Sequence, residues 1–218
     1  MSRPRPSFAS VVLDVDSTLC GIEGIDWLSA LRGPDVGARV AELTDRAMRG
    51  EIALDAVYGE RLALVRPSRG DVVELGAVYI DSLAPDAADA IARLHAAAVR
   101  VVLVSGGLRE AILPVAEQVG IADRDVHAVS VRFDREGAYA GFDETSPLAT
   151  SSGKRAVVER LGLPRRILAA GDGATDLAIR PAVDAFAAYT GFIRREPVVA
   201  GADHSVDSFA QLLELALR

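Results

Sequence analysis

Apolar and polar positions along the chain follow two rhythms. Residues 8–15, FASVVLDV, are apolar, short and rich in β-branched side chains, which predicts a buried strand. Beyond it the period lengthens. A short helix is expected at 25–32. Val36, Val40, Leu43 and Ala47 then recur at i, i+4, i+7 and i+11, one stripe of a helix with Gly50 as its stop. Helices over about 53–65, ending before Pro67, and 69–80 complete a stretch without strand signal. From Pro85 strands and helices alternate. A helix at 85–97 opens on proline and acids, and the strand VRVVLVS ends at Ser105. A helix at 108–119 stops at Gly120, and Pro114 inside it predicts a kink or a later start. VHAVSVRFDREGAYAGF, residues 126–142, alternates and turns at Gly137, the pattern of a hairpin. A helix at 152–161, the strand RILAAGD, a helix at 175–180, the strand DAFAAY and a last helix at 208–217, capped by Asp207 or Ser208, finish the chain.

This order predicts an α/β fold: a doubly wound, mostly parallel sheet with helices on both faces and one small β-hairpin. Residues 1–20 and 83–218 form the core, and 21–82 form a helical cap inserted after the first strand. Ligands of such sheets sit beyond the carboxyl ends of the strands.

Those ends carry unusual residues. VVLDVDSTLC runs an apolar strand straight into Asp14 and Asp16, with Thr18 close behind. The next core strand ends in Ser105-Gly106-Gly107. Ser152-Gly153-Lys154 precedes a helix, and GDGATD supplies Asp172 and Asp176. Four converging carboxylates would not all stay ionised without a cation. Mg²⁺ favours such oxygen donors and keeps places for water and phosphate. A lysine, a serine and glycine backbone suit phosphate oxygens. The combination points to phosphoryl transfer onto an aspartate. An i, i+2 spacing on extended chain puts Asp14 and Asp16 on one side.

DVDST, VSGG, SGK and GDGATD together resemble the motifs of the haloacid dehalogenase-like phosphohydrolases. The likeness runs from about Ser10 to Arg218. EGID (23–26), ERLALVRPSR (60–69), SGGLRE (105–110) and YAGFDET (139–145) are similar to the branch of that family that hydrolyses O-phospho-L-serine. The resemblance implies the Rossmann-like core with its cap, a Mg²⁺ cofactor and a role for each motif residue. Asp14 is the nucleophile that forms an aspartyl-phosphate. Asp16 protonates the leaving hydroxyl and then activates water. Asp14, the backbone carbonyl of Asp16 and Asp172 hold Mg²⁺, and Asp176 supports it through water or orients Lys154. Ser105, Gly106, Gly107 and Lys154 bind the phosphoryl group. In the cap, Glu23 meets the substrate ammonium and Arg61 its carboxylate, Met48 lies against the substrate, and Thr175 sits near it. The activity implied is the last step of L-serine biosynthesis. A related phosphatase or phosphotransferase acting on another small phosphorylated metabolite is the alternative.

The likeness departs at Leu54, where the family carries an aromatic residue, at Arg49 and at Pro114, and it fades over YTGFIRREPVVAGADHS. A signalling receiver module also phosphorylates an aspartate, but it is shorter, lacks the insertion and lacks a second acid two residues on. A net charge of −7 argues against nucleic acid or an anionic membrane as partner. Cys20 is the only cysteine, so no internal disulfide can form, which fits a cytoplasmic protein. MSRPRPSF has no apolar run of a secretory signal, and no stretch approaches a membrane span. A monomer or homodimer is expected.

Overall fold

The computed structural model describes residues 6–49 and 51–218, and the side chains of Met48, Leu54 and Ala56 lie outside that description. The strands are β1 (Ser10–Leu13), β2 (Arg100–Leu108), β3 (Val126–Val129), β4 (Val131–Phe133), β5 (Tyr139–Phe142), β6 (Ile167–Gly171), β7 (Ala185–Tyr189) and β8 (His204–Val206). The helices are α1 (Gly24–Ala30), α2 (Pro34–Met48), α3 (Leu54–Val65), α4 (Arg69–Asp81), α5 (Ala87–Ala96), α6 (Arg109–Gln118), α7 (Gly153–Arg160), α8 (Ala174–Leu177), α9 (Glu196–Gly201) and α10 (Phe209–Leu217).

Six parallel strands form the main sheet in the order β3-β2-β1-β6-β7-β8. β1 and β6 are wholly buried and apolar apart from Ser10, as strands covered on both faces must be. The chain leaves β1 toward β2 and β3, then returns to the other side at β6. That reversal opens a crevice at the carboxyl ends of β1 and β6, where Asp14 and Asp172 follow directly.

Between β1 and α5 the chain is helical, as its periodicity predicts. α1 ends before Gly33, whose φ of 100° suits only glycine, and Pro34 then opens α2. Val40, Leu43 and Ala47 of the expected stripe are buried and Val36 is half-buried. The chain enters and leaves this group through paired segments. The Gly21 N–H donates to Ser82 O at 2.8 Å, and the Ala84 N–H to Leu19 O at 2.9 Å. Among the described residues no helix is long and apolar enough to cross a membrane.

Four expectations need correction. β2 does not stop at Ser105 but runs through both glycines to Leu108, since glycine weakens a strand without forbidding it. The stretch 126–142 is not one hairpin: Val126–Val129 joins the main sheet beside β2, and only β4 and β5 pair antiparallel. α6 begins at Arg109 despite Pro114, which packs into the space left by Gly76 of α4, where a Cβ would lie 3.3 Å from Pro114 Cγ. The poorly patterned segment near the C-terminus holds β8 and α9, which the periodicity did not announce.

Candidate active site

β1 hands its ladder to Asp14, whose N–H donates to Ala170 O at 3.1 Å, so the first acid leaves the sheet still extended. Ser17 then turns the chain with φ 53°, a left-handed conformation for a non-glycine residue. Its Oγ donates to Glu23 at 2.8 Å, and its N–H to Ile22 O at 3.1 Å. This closed turn stacks Asp14, Asp16 and Glu23 at the crevice. The Asp16 Oδ1 accepts from the Gly24 N–H and from the Tyr79 hydroxyl, each at 2.7 Å. Burial, then the neighbouring Asp14, pushes the Asp16 carboxyl up to about 6.

Lys154, in the first turn of α7, lies 2.6 Å from both Asp14 Oδ1 and Asp176 Oδ1. Burial works against its charge, but Asp14 and Asp176 more than offset this and hold it above the usual lysine range. Burial, then Asp14, pushes Asp176 up to about 7, against the pull of Lys154. Asp176 also accepts from the Gly173 N–H at 3.0 Å, which fixes the start of α8. Asp172 accepts from Thr18 Oγ1 at 3.2 Å and pairs with Arg195. One carboxylate oxygen from each of Asp14, Asp172 and Asp176 falls within 4.8 Å of the others. Three buried carboxylates, already balanced by an ammonium and a guanidinium, are a donor set suited to a hard divalent cation. The Asp16 carboxylate is not part of that set.

Gly106 and Gly107 border the same cleft. A Cβ at Gly107 would sit 2.9 Å from Asp16 Oδ2, so glycine is needed for the loop to approach the acid. Ser105 is fully buried and its Oγ accepts from the Gly107 N–H at 2.9 Å, which shapes the loop from beneath.

The other wall comes from the start of α1 and from α3, with Thr175 of α8 beside it. Glu23, Arg61 and Thr175 line the cleft with Asp14, Asp16, Lys154 and Asp172. Arg61 is buried, its Nη2 lies 3.3 Å from Asp26 Oδ1, and its Nε has no partner among the described residues. Burial, then Asp16, pushes Glu23 up to about 8. The expectation for Met48 lies outside the described side chains.

Three residues that sequence reading passed over belong to the site. Tyr58 lines the cleft and donates to Gly106 O at 2.7 Å. Tyr79 holds Asp16, and Arg195 reaches Asp172 with its Nη2 3.8 Å from Glu23. Both tyrosines sit on apolar helical stripes, where pattern alone reads them as core. A usable signal lay elsewhere: Lys154 is the only lysine among 24 Lys and Arg residues.

A family model for haloacid dehalogenase-like hydrolases matches residues 8–181. Phosphoserine phosphatase of Homo sapiens is 40% identical over 207 residues, covering 94% of this chain and 91% of its own length. The chloroplastic phosphoserine phosphatase of Arabidopsis thaliana is 38% identical over 216 residues, covering 95% and 71%. In fold, a phosphoserine phosphohydrolase-like protein from Francisella tularensis superposes with a TM-score of 0.86 at 23% identity, covering 95% of this chain and 99% of that one.

Proposed function

The chain belongs to the haloacid dehalogenase-like hydrolases, and on that premise we propose that it is a Mg²⁺-dependent phosphoserine phosphatase. It converts O-phospho-L-serine and water to L-serine and phosphate, the last step of L-serine biosynthesis, in the cytoplasm. Residues 21–82 act as the substrate-selecting cap and 1–20 with 83–218 as the catalytic core.

One observation carries the substrate reading. A buried arginine with an unmatched Nε, Arg61, and a half-buried acid, Glu23, share a cleft with the Asp14–Lys154 pair. A small zwitterion with a phosphoryl group matches all three: carboxylate to Arg61, ammonium to Glu23, phosphoryl to Lys154. The ammonium favours the ionised form of Glu23, which burial alone disfavours.

The reaction splits in two. Asp14 attacks phosphorus, the bond from phosphorus to the serine oxygen breaks, and Asp16 gives that oxygen its proton. Water then attacks the phosphoryl group on Asp14, Asp16 takes a proton from it, and the bond to Asp14 breaks. Lys154, Ser105 and the Gly106 and Gly107 backbone bind phosphoryl oxygens through both halves. Asp14, Asp172 and the Asp16 backbone carbonyl, with Asp176 behind them, would hold a Mg²⁺, which would neutralise the charge of the transferring oxygens.

The test is phosphate release from L-phosphoserine, phosphothreonine, phosphohomoserine and sugar phosphates with Mg²⁺, with Asp14→Asn as control. The expected result is a lead for L-phosphoserine of about tenfold or more in kcat/KM, about 1.4 kcal/mol, and a dead mutant. A different leading substrate overturns the assignment of Glu23 and Arg61. Transfer of the phosphoryl group to an added alcohol in preference to water overturns the hydrolase reading.

A further inference from the structure

Asp16 is held by a hydroxyl from outside every motif. Tyr79 lies on α4, fully buried, and its Oη donates to Asp16 Oδ1 at 2.7 Å. The same oxygen accepts from the Gly24 N–H at 2.7 Å. A backbone N–H can only donate, so Oδ1 is an acceptor in this arrangement. With two donors upon it, Oδ1 is the wrong oxygen to carry a proton. The other oxygen, Oδ2, faces the phosphate-binding loop, within 2.9 Å of where a Gly107 Cβ would stand.

The surroundings are shaped for this contact. A Cβ on Gly24 would fall 2.1 Å from Tyr79 Oη, so glycine there leaves the room that the hydroxyl occupies. The ring sits on the buried face of α4 with Val72, Leu75 and Gly76, and that helix packs along α6. The hydroxyl is therefore delivered from a helix of the inserted segment that packs along α6 of the core.

We propose that Tyr79 is a positioning residue for Asp16: together with the Gly24 N–H it occupies Oδ1, so the transferable proton resides on Oδ2, toward the leaving oxygen. The inference rests on the phosphoryl-transfer reading above. As the bond from phosphorus to the substrate oxygen breaks and that to Asp14 forms, the Oδ2–H proton passes to the departing alkoxide. In the second half the same Oδ2 receives a proton from the attacking water. Without Tyr79 the carboxyl can rotate and the proton divides between both oxygens.

The test compares Tyr79→Phe with the wild-type holoenzyme on two small phosphate donors. L-phosphoserine expels an alkoxide that needs a proton. Acetyl phosphate expels acetate, which does not. The expected result is a fall of about tenfold or more in kcat/KM for L-phosphoserine, with acetyl phosphate changed by less than about twofold, since only the first step uses acid catalysis. Gly24→Ala, whose methyl group displaces the hydroxyl, reproduces the selective loss, and the double variant is no worse than the poorer single one. Equal losses on both donors, or no loss, overturn the proposal. If the wild type prefers another alkyl phosphate, that substrate replaces L-phosphoserine in the pair. The substrate assignment thus fails in the wild-type rates, and the role of Tyr79 fails in the ratio.

Discussion

At the scale of single residues, Lys154 shows most directly how composition and geometry meet. Of the 24 Lys and Arg residues in this protein, the other 23 are arginine. Lys154 Nζ sits 2.6 Å from two separate carboxylates with its side chain almost fully buried. A compact ammonium fits that gap, whereas a guanidinium is a wider planar fork whose nitrogens cannot both close to one point between the two carboxylates. Its backbone is equally constrained: a Cβ at Gly153 would lie 1.5 Å from Pro147 O, so the first turn of α7 can approach the crevice only through glycine. Lys154→Arg is therefore expected to fold and to lose about 10²–10³-fold in kcat, the usual cost of removing one preorganised charge-stabilising donor. Steady-state kinetics beside a thermal melt check it. A variant with wild-type kcat would show that the ammonium's shape is irrelevant.

At the scale of elements, α4 is held by a reciprocal cap. The Asp71 N–H donates to Ser68 Oγ at 3.1 Å and the Ser68 N–H to Asp71 Oδ2 at 2.8 Å, with Arg32 paired to the same carboxylate. Ser68→Ala is expected to cost about 1 kcal/mol, a drop in Tm of about 2–4 °C for a chain of this size. Partial burial raises the Asp71 pKa, but the Ser68 N–H and Arg32 outweigh it and hold the carboxyl below its usual value. A depressed acid stabilises the fold above its unfolded pKa of about 3.9 and loses that contribution as pH falls through the folded value. Thermal melts between pH 7 and 3 should thus fall less steeply at the acid end for Asp71→Asn than for wild type. The same helix marks the limit of what pattern conveys. The strand ends were legible because they interrupt apolar runs with Asp14, Asp16, Asp172 and Asp176, and chemistry of that kind has no packing role. Tyr79 was not legible, since a tyrosine in register with Val72 and Leu75 looks like core and its partner is 63 residues away. β3 merged with the hairpin because alternation continues through Ser130 while the pairing partner changes. β8 escaped because three residues with two exposed give no period. Arg61 was legible only through the resemblance of ERLALVRPSR to the family, since pattern alone reads it as a solvated side chain, and the fold then buries it on the face of α3 that carries Tyr58, Leu62 and Val65. Tyr58 stands one turn beyond Leu54 and lines the cleft from that helix. Tyr58→Leu should raise the phosphothreonine-to-phosphoserine ratio of kcat/KM by about tenfold, the worth of one methylene in a tight pocket. Tyr58→Phe should leave the ratio unchanged, because the ring and not the hydroxyl limits the space.

At the scale of the whole molecule, substrate must reach a cleft whose walls come from both the sheet edge and the inserted helices. The linkers paired at Gly21–Ser82 and Leu19–Ala84 are where the proposed cap would turn against the proposed core. Arg195 spans the two. It approaches from the N-terminal edge of α9, its side chain is only 8% exposed, and it pairs with Asp172 on the core while its Nη2 lies 3.8 Å from Glu23. Asp172 is also one of the three carboxylates suited to a divalent cation. A guanidinium and a metal ion compete for the same oxygens, so occupancy by one weakens the hold of the other. A cation held by Asp14, Asp172 and Asp176 would thus weaken the hold of the core on Arg195 and leave it Glu23 or an incoming carboxylate as partner, which would tie metal loading to the position of the proposed cap. Arg195→Gln should therefore bind Mg²⁺ about tenfold more tightly in the absence of substrate, about 1.4 kcal/mol, as read by calorimetry. It should also gain more Tm from a fixed Mg²⁺ concentration, since a ligand stabilises in proportion to RT ln(1 + [L]/Kd). An unchanged or weaker affinity would mean that Arg195 supports the carboxylate rather than contesting it. In that case cap position and metal loading would be independent, and solution scattering with and without Mg²⁺ would show no difference attributable to this side chain.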